Sequence, residues 1–146
     1  MGKTIAKNKR AYRNYDFEEF YEAGIKLKGT EVKALRNNRA HLKEAYAMNR
    51  GGEFYLVGAY IGPYENAPRS QQHDTERSRK LLLHQSQIES LIGKISREGY
   101  TLVPLQIYFN KRGLAKVQLG LGKGLEKHDK REKIKERETK RRLQQQ

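Results

Sequence analysis

From residue 100 to residue 121 apolar and polar positions alternate in the way that predicts two paired strands. Residues 100–109 are rich in β-branched and aromatic side chains, and Asn110-Lys111-Arg112-Gly113 supplies a turn. Residues 114–121 then alternate back. After Leu121 the apolar pattern stops and charge takes over. The last core strand is therefore expected to end at Leu121, with a tail beginning after it.

Residues 15–27 carry aromatic residues at short spacing and then Gly24, which predicts a strand bent or bulged at that glycine. Thr30 is placed to cap a short helix over residues 31–36, with Val32 and Leu35 three apart and facing the core. Asn37-Asn38-Arg39 reads as a turn. Residues 45–49 and 53–61 flank Arg50-Gly51-Gly52 as a second hairpin, ended by Gly62-Pro63. Residues 64–74 are polar, without periodicity, and read as a loop. Residues 75–83 predict the opening of a helix capped by Asp74 or Thr75. A further helix over 86–97 places Ile88, Leu91, Ile92 and Ile95 on one face, and Gly99 stops it. Pro104, inside a strand pattern, implies an edge strand or a bulge.

Strands outnumber helices, and hairpins rather than crossover helices join them. The expected class is α+β and mainly β, a small antiparallel barrel with about three short helices on its openings. At 146 residues the chain fits one domain with extensions. These are a basic, poorly ordered arm over 1–13, a barrel over 14–122 and a basic tail over 123–146. The tail has almost no apolar face, so disorder in the free protein and helix on a partner are expected. Its length as a helix is about 36 Å, at roughly 1.5 Å per residue.

Composition narrows the function. Cysteine is absent, which removes disulfides, thiolate metal sites and a cysteine nucleophile, and suits a reducing cytosol. No segment approaches a membrane span and no signal-peptide stretch opens the chain, so a soluble, cytoplasmic protein is expected. Net charge is +14, of which residues 1–13 contribute +5 and residues 123–146 another +5, leaving +4 for the middle. Cations gathered at both ends of a milder core point to a polyanion, above all nucleic acid. An anionic membrane fits less well, because the tail lacks the apolar face of an interfacial helix.

Enzyme chemistry finds little support. His41, His73, His84 and His128 are scattered without metal-ligand spacing, and Glu18-Glu19 point to opposite faces of a strand. Gly120-x-Gly122-x-Gly124 resembles part of a phosphate loop but precedes a charge run, so it reads as a flexible strand exit. Neither a catalytic residue, a metal site nor a cofactor is expected. The basic segments say more. Asn8, Lys9 and Arg10 beside Tyr12 and Tyr15 combine phosphate contacts with rings able to stack on unpaired bases. Arg77, Arg79 and Lys80 precede Leu81-Leu82-Leu83, one of which can face outward among cations. A structural ribosomal protein with two basic anchors is the rival reading from another class.

Four segments together resemble a known family. YEAGIKLKGTEVKALR (21–36), RKLLLH (79–84), GYTLVPLQIYFNKRGLAKVQLGLGKG (99–124) and HDKR (128–131) are similar to the SsrA-binding protein (small protein B) family, in the right order from about Asn8 to Arg137. The resemblance implies an OB-fold-like barrel that clasps the tRNA-like domain of transfer-messenger RNA. It also implies no enzyme activity, but help with that RNA's alanylation and delivery, with elongation factor Tu, to stalled ribosomes. Alanyl-tRNA synthetase is then met through the RNA, no membrane is involved, and a monomer is expected. By motif match the RNA contacts are Asn8, Glu22, Leu82 and Lys116, alongside Lys9, Arg10, Arg79 and Lys80. The resemblance places Lys123, Gly124, His128, Asp129, Lys130 and Arg131 in a tail that fills the vacant small-subunit decoding centre and mRNA channel. Where the family has Gly-Lys-Lys, this chain has Gly124-Leu125-Glu126, a difference that bears on ribosome contacts at the tail's root.

Overall fold

The computed structural model describes residues 3–125. His128, Asp129, Lys130 and Arg131 lie outside the described residues, as does the expected conformation of the tail.

Among the described residues nine strands and three α-helices follow one another. They are β1 (Thr4–Lys7), α1 (Ala11–Asn14), β2 (Tyr15–Ile25), α2 (Gly29–Arg36), β3 (Ala40–His41), β4 (Tyr46–Arg50), β5 (Glu53–Val57), β6 (Tyr60–Ile61), β7 (Arg79–Leu82), α3 (Gln85–Glu98), β8 (Thr101–Phe109) and β9 (Ala115–Gly124). Seven strands form one antiparallel sheet in the order β1-β8-β9-β2-β7-β5-β4, while β3 and β6 pair separately. The sheet curls until β4 lies against β8 and β3 against β1. This is the expected OB-like antiparallel arrangement with three short helices, and no ladder joins the two ends of the sheet. Among the described residues no helix is long and apolar enough to cross a membrane.

The core follows the alternation. Ala23 and Ile25 of β2, Leu81 of β7, Ile107 of β8, and Val117 and Leu119 of β9 point inward, joined by Ile88 and Leu91 of α3 and Leu35 of α2. The β8–β9 hairpin forms with its Asn110–Gly113 turn, where Asn110 Oδ1 accepts the amides of Arg112 at 3.0 Å and Leu114 at 2.9 Å. The β4–β5 hairpin closes on Gly51-Gly52, a two-residue turn of the kind that glycine pairs favour.

Several expectations are corrected. The N-terminal segment is not a loose arm, because Thr4–Lys7 pairs with β8 and Ala11–Asn14 is helical. The irregularity of β2 lies between Phe17 and Glu19, where its register against β9 shifts, and not at Gly24. Helix α2 starts at Gly29, and its first turn is closed by Glu31 Oε1 accepting the Lys28 amide at 2.8 Å, while Thr30 bonds His73 Nδ1 at 2.8 Å instead. Residues 79–82 are strand β7 rather than helix, since their apolar residues alternate in and out between two partner strands, β2 and β5. The strand expected over 53–61 breaks after Val57. Of the two settings expected for Pro104, an edge or a bulge, the bulge is found: β8 is interior and its register shifts between Pro104 and Gln106. Strand β9 runs on to Gly124, beyond Leu121.

One buried polar cluster holds these pieces together. Glu31 and Arg79 are both fully buried, and Arg79 Nε donates to Glu31 Oε2 at 2.5 Å. Arg77 reaches Glu31 Oε1 at 2.6 Å. The remaining Arg79 nitrogens donate to the carbonyls of Ala59 at 2.7 Å and Thr75 at 3.1 Å. Burial alone raises the Glu31 carboxyl, but hydrogen bonds from Arg77, the Lys28 amide and Arg79 outweigh it and hold the group below its ordinary value. Removing one partner strands the other charge in the core. Glu31→Gln or Arg79→Met is therefore expected to cost roughly 3–5 kcal/mol in urea unfolding. Because the folded value of Glu31 is depressed, its contribution is complete above the ordinary 4.5 and is lost as pH falls through the folded value. Melts of the wild type should weaken below that point, and Glu31→Gln should remove part of that slope.

Candidate nucleic-acid interface

Strand pairing fixes which side chains share the outer face. Tyr108 of β8 stands opposite Lys116 of β9, Lys116 opposite Gly24 of β2, and Gly24 opposite Leu82 of β7. One row therefore crosses four strands. The next row runs Lys7, Gln106, Gln118, Glu22. Directly paired residues project to the same face, and positions two apart along a strand do so as well. Glu22, Gly24, Leu82, Lys116 and Gln118 consequently form one surface, back to back with the core residues Ala23, Ile25, Leu81 and Val117.

Leu82 is 49% exposed, the outward member of the leucine triplet, whereas Leu81 is fully buried. Gly24 lets it sit there, since a β-carbon on Gly24 would come within 3.2 Å of the Leu82 β-carbon. The result is a cleft of about 370 Å³ between Leu82 and Lys116, extended by Leu114, Val32 and Arg36. Leu114, just after the hairpin turn, is 55% exposed. Lys116 makes no ion pair among the described residues. Glu22 accepts a hydrogen bond from the Tyr108 hydroxyl. Burial, and then that bond, raise the Tyr108 hydroxyl above its ordinary value, so Tyr108 remains a donor to Glu22. An oriented carboxylate beside a cation and an apolar cleft can accept from base amino groups while the cation meets phosphate.

The other candidates divide. Asn8, at the corner between β1 and α1, is tied down by its own amide to the Pro104 carbonyl at 3.1 Å, and Lys9 and Arg10 beside it are exposed. Lys80 shares the outer face with Leu82 and lies 3.8 Å from Glu53. Arg79 is a correction: it is fully buried on Glu31 and offers no surface to RNA. Lys123 sits 4.8 Å over the Tyr100 ring, and Gly124 closes β9 opposite Tyr15. Leu125 donates its amide to the Asn14 carbonyl at 2.8 Å, so the chain leaves the sheet beside α1. Tyr108, Gln118, Leu114 and Arg36 were not singled out from sequence. For Tyr108 and Gln118 the signal existed, as polar or half-polar positions on the outward phase of β8 and β9.

Comparisons with known proteins bear on this surface. A family model described as "SmpB protein" matches residues 5–146. A protein of Geobacillus kaustophilus named SsrA-binding protein is 51% identical over 142 residues, covering 97% of this chain and 90% of its own. A protein of Caulobacter vibrioides with the same name is 52% identical over 141 residues, covering 97% and 92%. A solved structure described as "tmRNA-SmpB: a journey to the center of the bacterial ribosome" matches with a TM-score of 0.66 at 47% identity, covering 88% of this chain and 92% of that one.

The Tyr108–Glu22 contact is open to a direct check by tyrosine-ring NMR against pH. Tyr108 should remain neutral through the ordinary tyrosine value of 10.0, and in Glu22→Ala it should ionise at lower pH than in the wild type. An unchanged titration in that variant would show the two groups to be uncoupled.

Proposed function

The chain belongs to the SmpB family, and from that premise we propose that it is an RNA-binding factor of trans-translation. Its outer face binds the tRNA-like domain of transfer-messenger RNA. It promotes alanylation of that RNA by alanyl-tRNA synthetase and accompanies it, with elongation factor Tu, to stalled ribosomes. The tail from Lys123 onward, through His128, Asp129, Lys130 and Arg131, fills the vacant decoding centre and mRNA channel, so that the nascent peptide is tagged. It works without catalysing a reaction, in the cytoplasm.

The observation that carries the reading is the row Lys116–Gly24–Leu82 with Glu22 beside it. Positions matched from three separate segments fall on one continuous outer surface. A second observation supports the division of labour. Lys116 and Gly124 lie at opposite ends of β9, eight residues and about 27 Å apart at roughly 3.4 Å per residue. The Leu82–Lys116 surface and the root of the tail are therefore spatially separate.

Titration of the full-length protein against the tRNA-like domain, with ordinary tRNA as competitor, tests the first part. Leu82→Ala should cost roughly 1–3 kcal/mol, the scale of one buried leucine. Lys116→Ala should weaken binding and reduce the salt slope by about 1, as for a lost phosphate contact. For the second part, Asp129→Ala combined with Arg131→Ala should leave RNA affinity unchanged and stop peptide tagging in a reconstituted stalled-ribosome assay. Equal loss of RNA binding in both sets would defeat the division.

A further inference from the structure

The outer face has a second concavity at the end of the sheet away from Leu82, and its construction differs from that of the first. The bulge between Pro104 and Gln106 turns Leu105 outward, where it packs with Val103 and Ala11 beneath α1. That packing seats α1 over the β8–β9 ladder. Asn8 fixes the corner from the other side, donating its main-chain amide to the Leu105 carbonyl at 2.7 Å and its side-chain amide to Pro104. The cleft so formed is about 450 Å³ and is lined by Lys7, Asn8, Lys9, Tyr12, Gln106 and Gln118 over Leu105. That volume is within the range of small-ligand sites.

Its lining is ordered by chemistry. The floor is an amide ladder in which Thr4 Oγ1 donates to Gln106 Oε1 at 3.1 Å and Gln106 Nε2 donates to Gln118 Oε1 at 2.7 Å. This chain of bonds fixes the orientation of Gln118 and leaves its Nε2 with no acceptor among the described residues. Tyr12 forms a wall, 39% exposed, its ring held edge-on at 5.5 Å by Phe17. Phe17 can lie there because Gly120 has no side chain, and a β-carbon at Gly120 would be 2.7 Å from the Phe17 ring. Lys7 and Lys9 place cations at the rim, and among the described residues no acid lines the cleft.

We propose that this cleft is a nucleobase pocket, in which the Tyr12 ring stacks on one unpaired base, the Gln118 amide bonds the base edge, and Lys7 and Lys9 hold the flanking phosphates. A ring wall, a directional amide and paired cations are what an extruded base with its two phosphates requires. A paired helix cannot enter a cleft of this size. The inference rests on the reading of the protein as an RNA-binding factor, and it adds a point of base discrimination that Leu82 and Lys116 do not provide.

The test titrates full-length protein with labelled heptanucleotides of U, C, A or G, with a fully paired RNA hairpin, and with the tRNA-like domain, at one salt concentration. The wild type is expected to prefer unpaired RNA and to rank the four bases. Tyr12→Ala should lose roughly 5- to 150-fold of heptanucleotide affinity, the range for one stacked base. Tyr12→Phe should retain it. Gln118→Leu should flatten the ranking with a smaller loss, and neither variant should change hairpin binding. Thermal melts matching the wild type show that the variants fold. Wild-type affinity for heptanucleotides in Tyr12→Ala and Gln118→Leu, with Leu82→Ala still weakening the tRNA-like domain, overturns the pocket and leaves the RNA-binding reading in place. Heptanucleotide binding with a base ranking but no preference for the tRNA-like domain over tRNA overturns that reading and leaves the pocket.

Discussion

A single buried ion pair sets the geometry on which the outer surface depends. Glu31 on α2 and Arg79 at the start of β7 are fully removed from water and bonded to each other. Desolvation of such a pair is costly, and it persists only because nearly every donor and acceptor finds a partner. Here Arg79 also grips the carbonyls of Ala59 and Thr75, and Arg77 closes the other side of Glu31. This pins the connection before β7 to α2 and to the residue ahead of β6. Strand β7 thereby enters the sheet in one register, with Leu81 inward and Leu82 outward beside Gly24. A slip by one residue would exchange those two leucines between core and surface.

The sheet converts that register into two regions of different chemistry on one face. Around Leu82 the surface is apolar with a cation, and Glu22 is held by Tyr108. Around Tyr12 it is amide and aromatic with cations at the rim. Exit of the chain beside Asn14, fixed by the Leu125 amide, starts the tail near the second region and far from the first.

Much of this was legible in the sequence where contacts are local. The β8–β9 hairpin and α3 were readable because their turn residues, caps and periodicity lie within the elements themselves. Strand β7 was not, because Arg77-Ser78-Arg79-Lys80 followed by three leucines suits the start of a helix as well as a strand. What decides it is pairing with β2 and β5, which lies outside the segment. Arg79 misled for the same reason: in a basic run it reads as a surface cation, and the Glu31 that buries it is 48 residues away. The positions Asn8, Glu22, Leu82 and Lys116 came from resemblance to a family, and only the strand register shows how Glu22, Leu82 and Lys116 come to share a face. The outward phase of Tyr108 was readable from β8, but its bond to Glu22, 86 residues away, was not.

The central claim is that the outer face of the sheet, and not its charge in general, meets RNA. Lysine reactivity read by mass spectrometry, with and without the tRNA-like domain, addresses it most directly because lysines are spread over the whole surface. The account predicts that Lys7, Lys9 and Lys116 become protected in the complex while Lys94 on α3, paired with Glu19, keeps its free reactivity. Protection of Lys94 with Lys116 still reactive would contradict it and place the RNA on the side of α3.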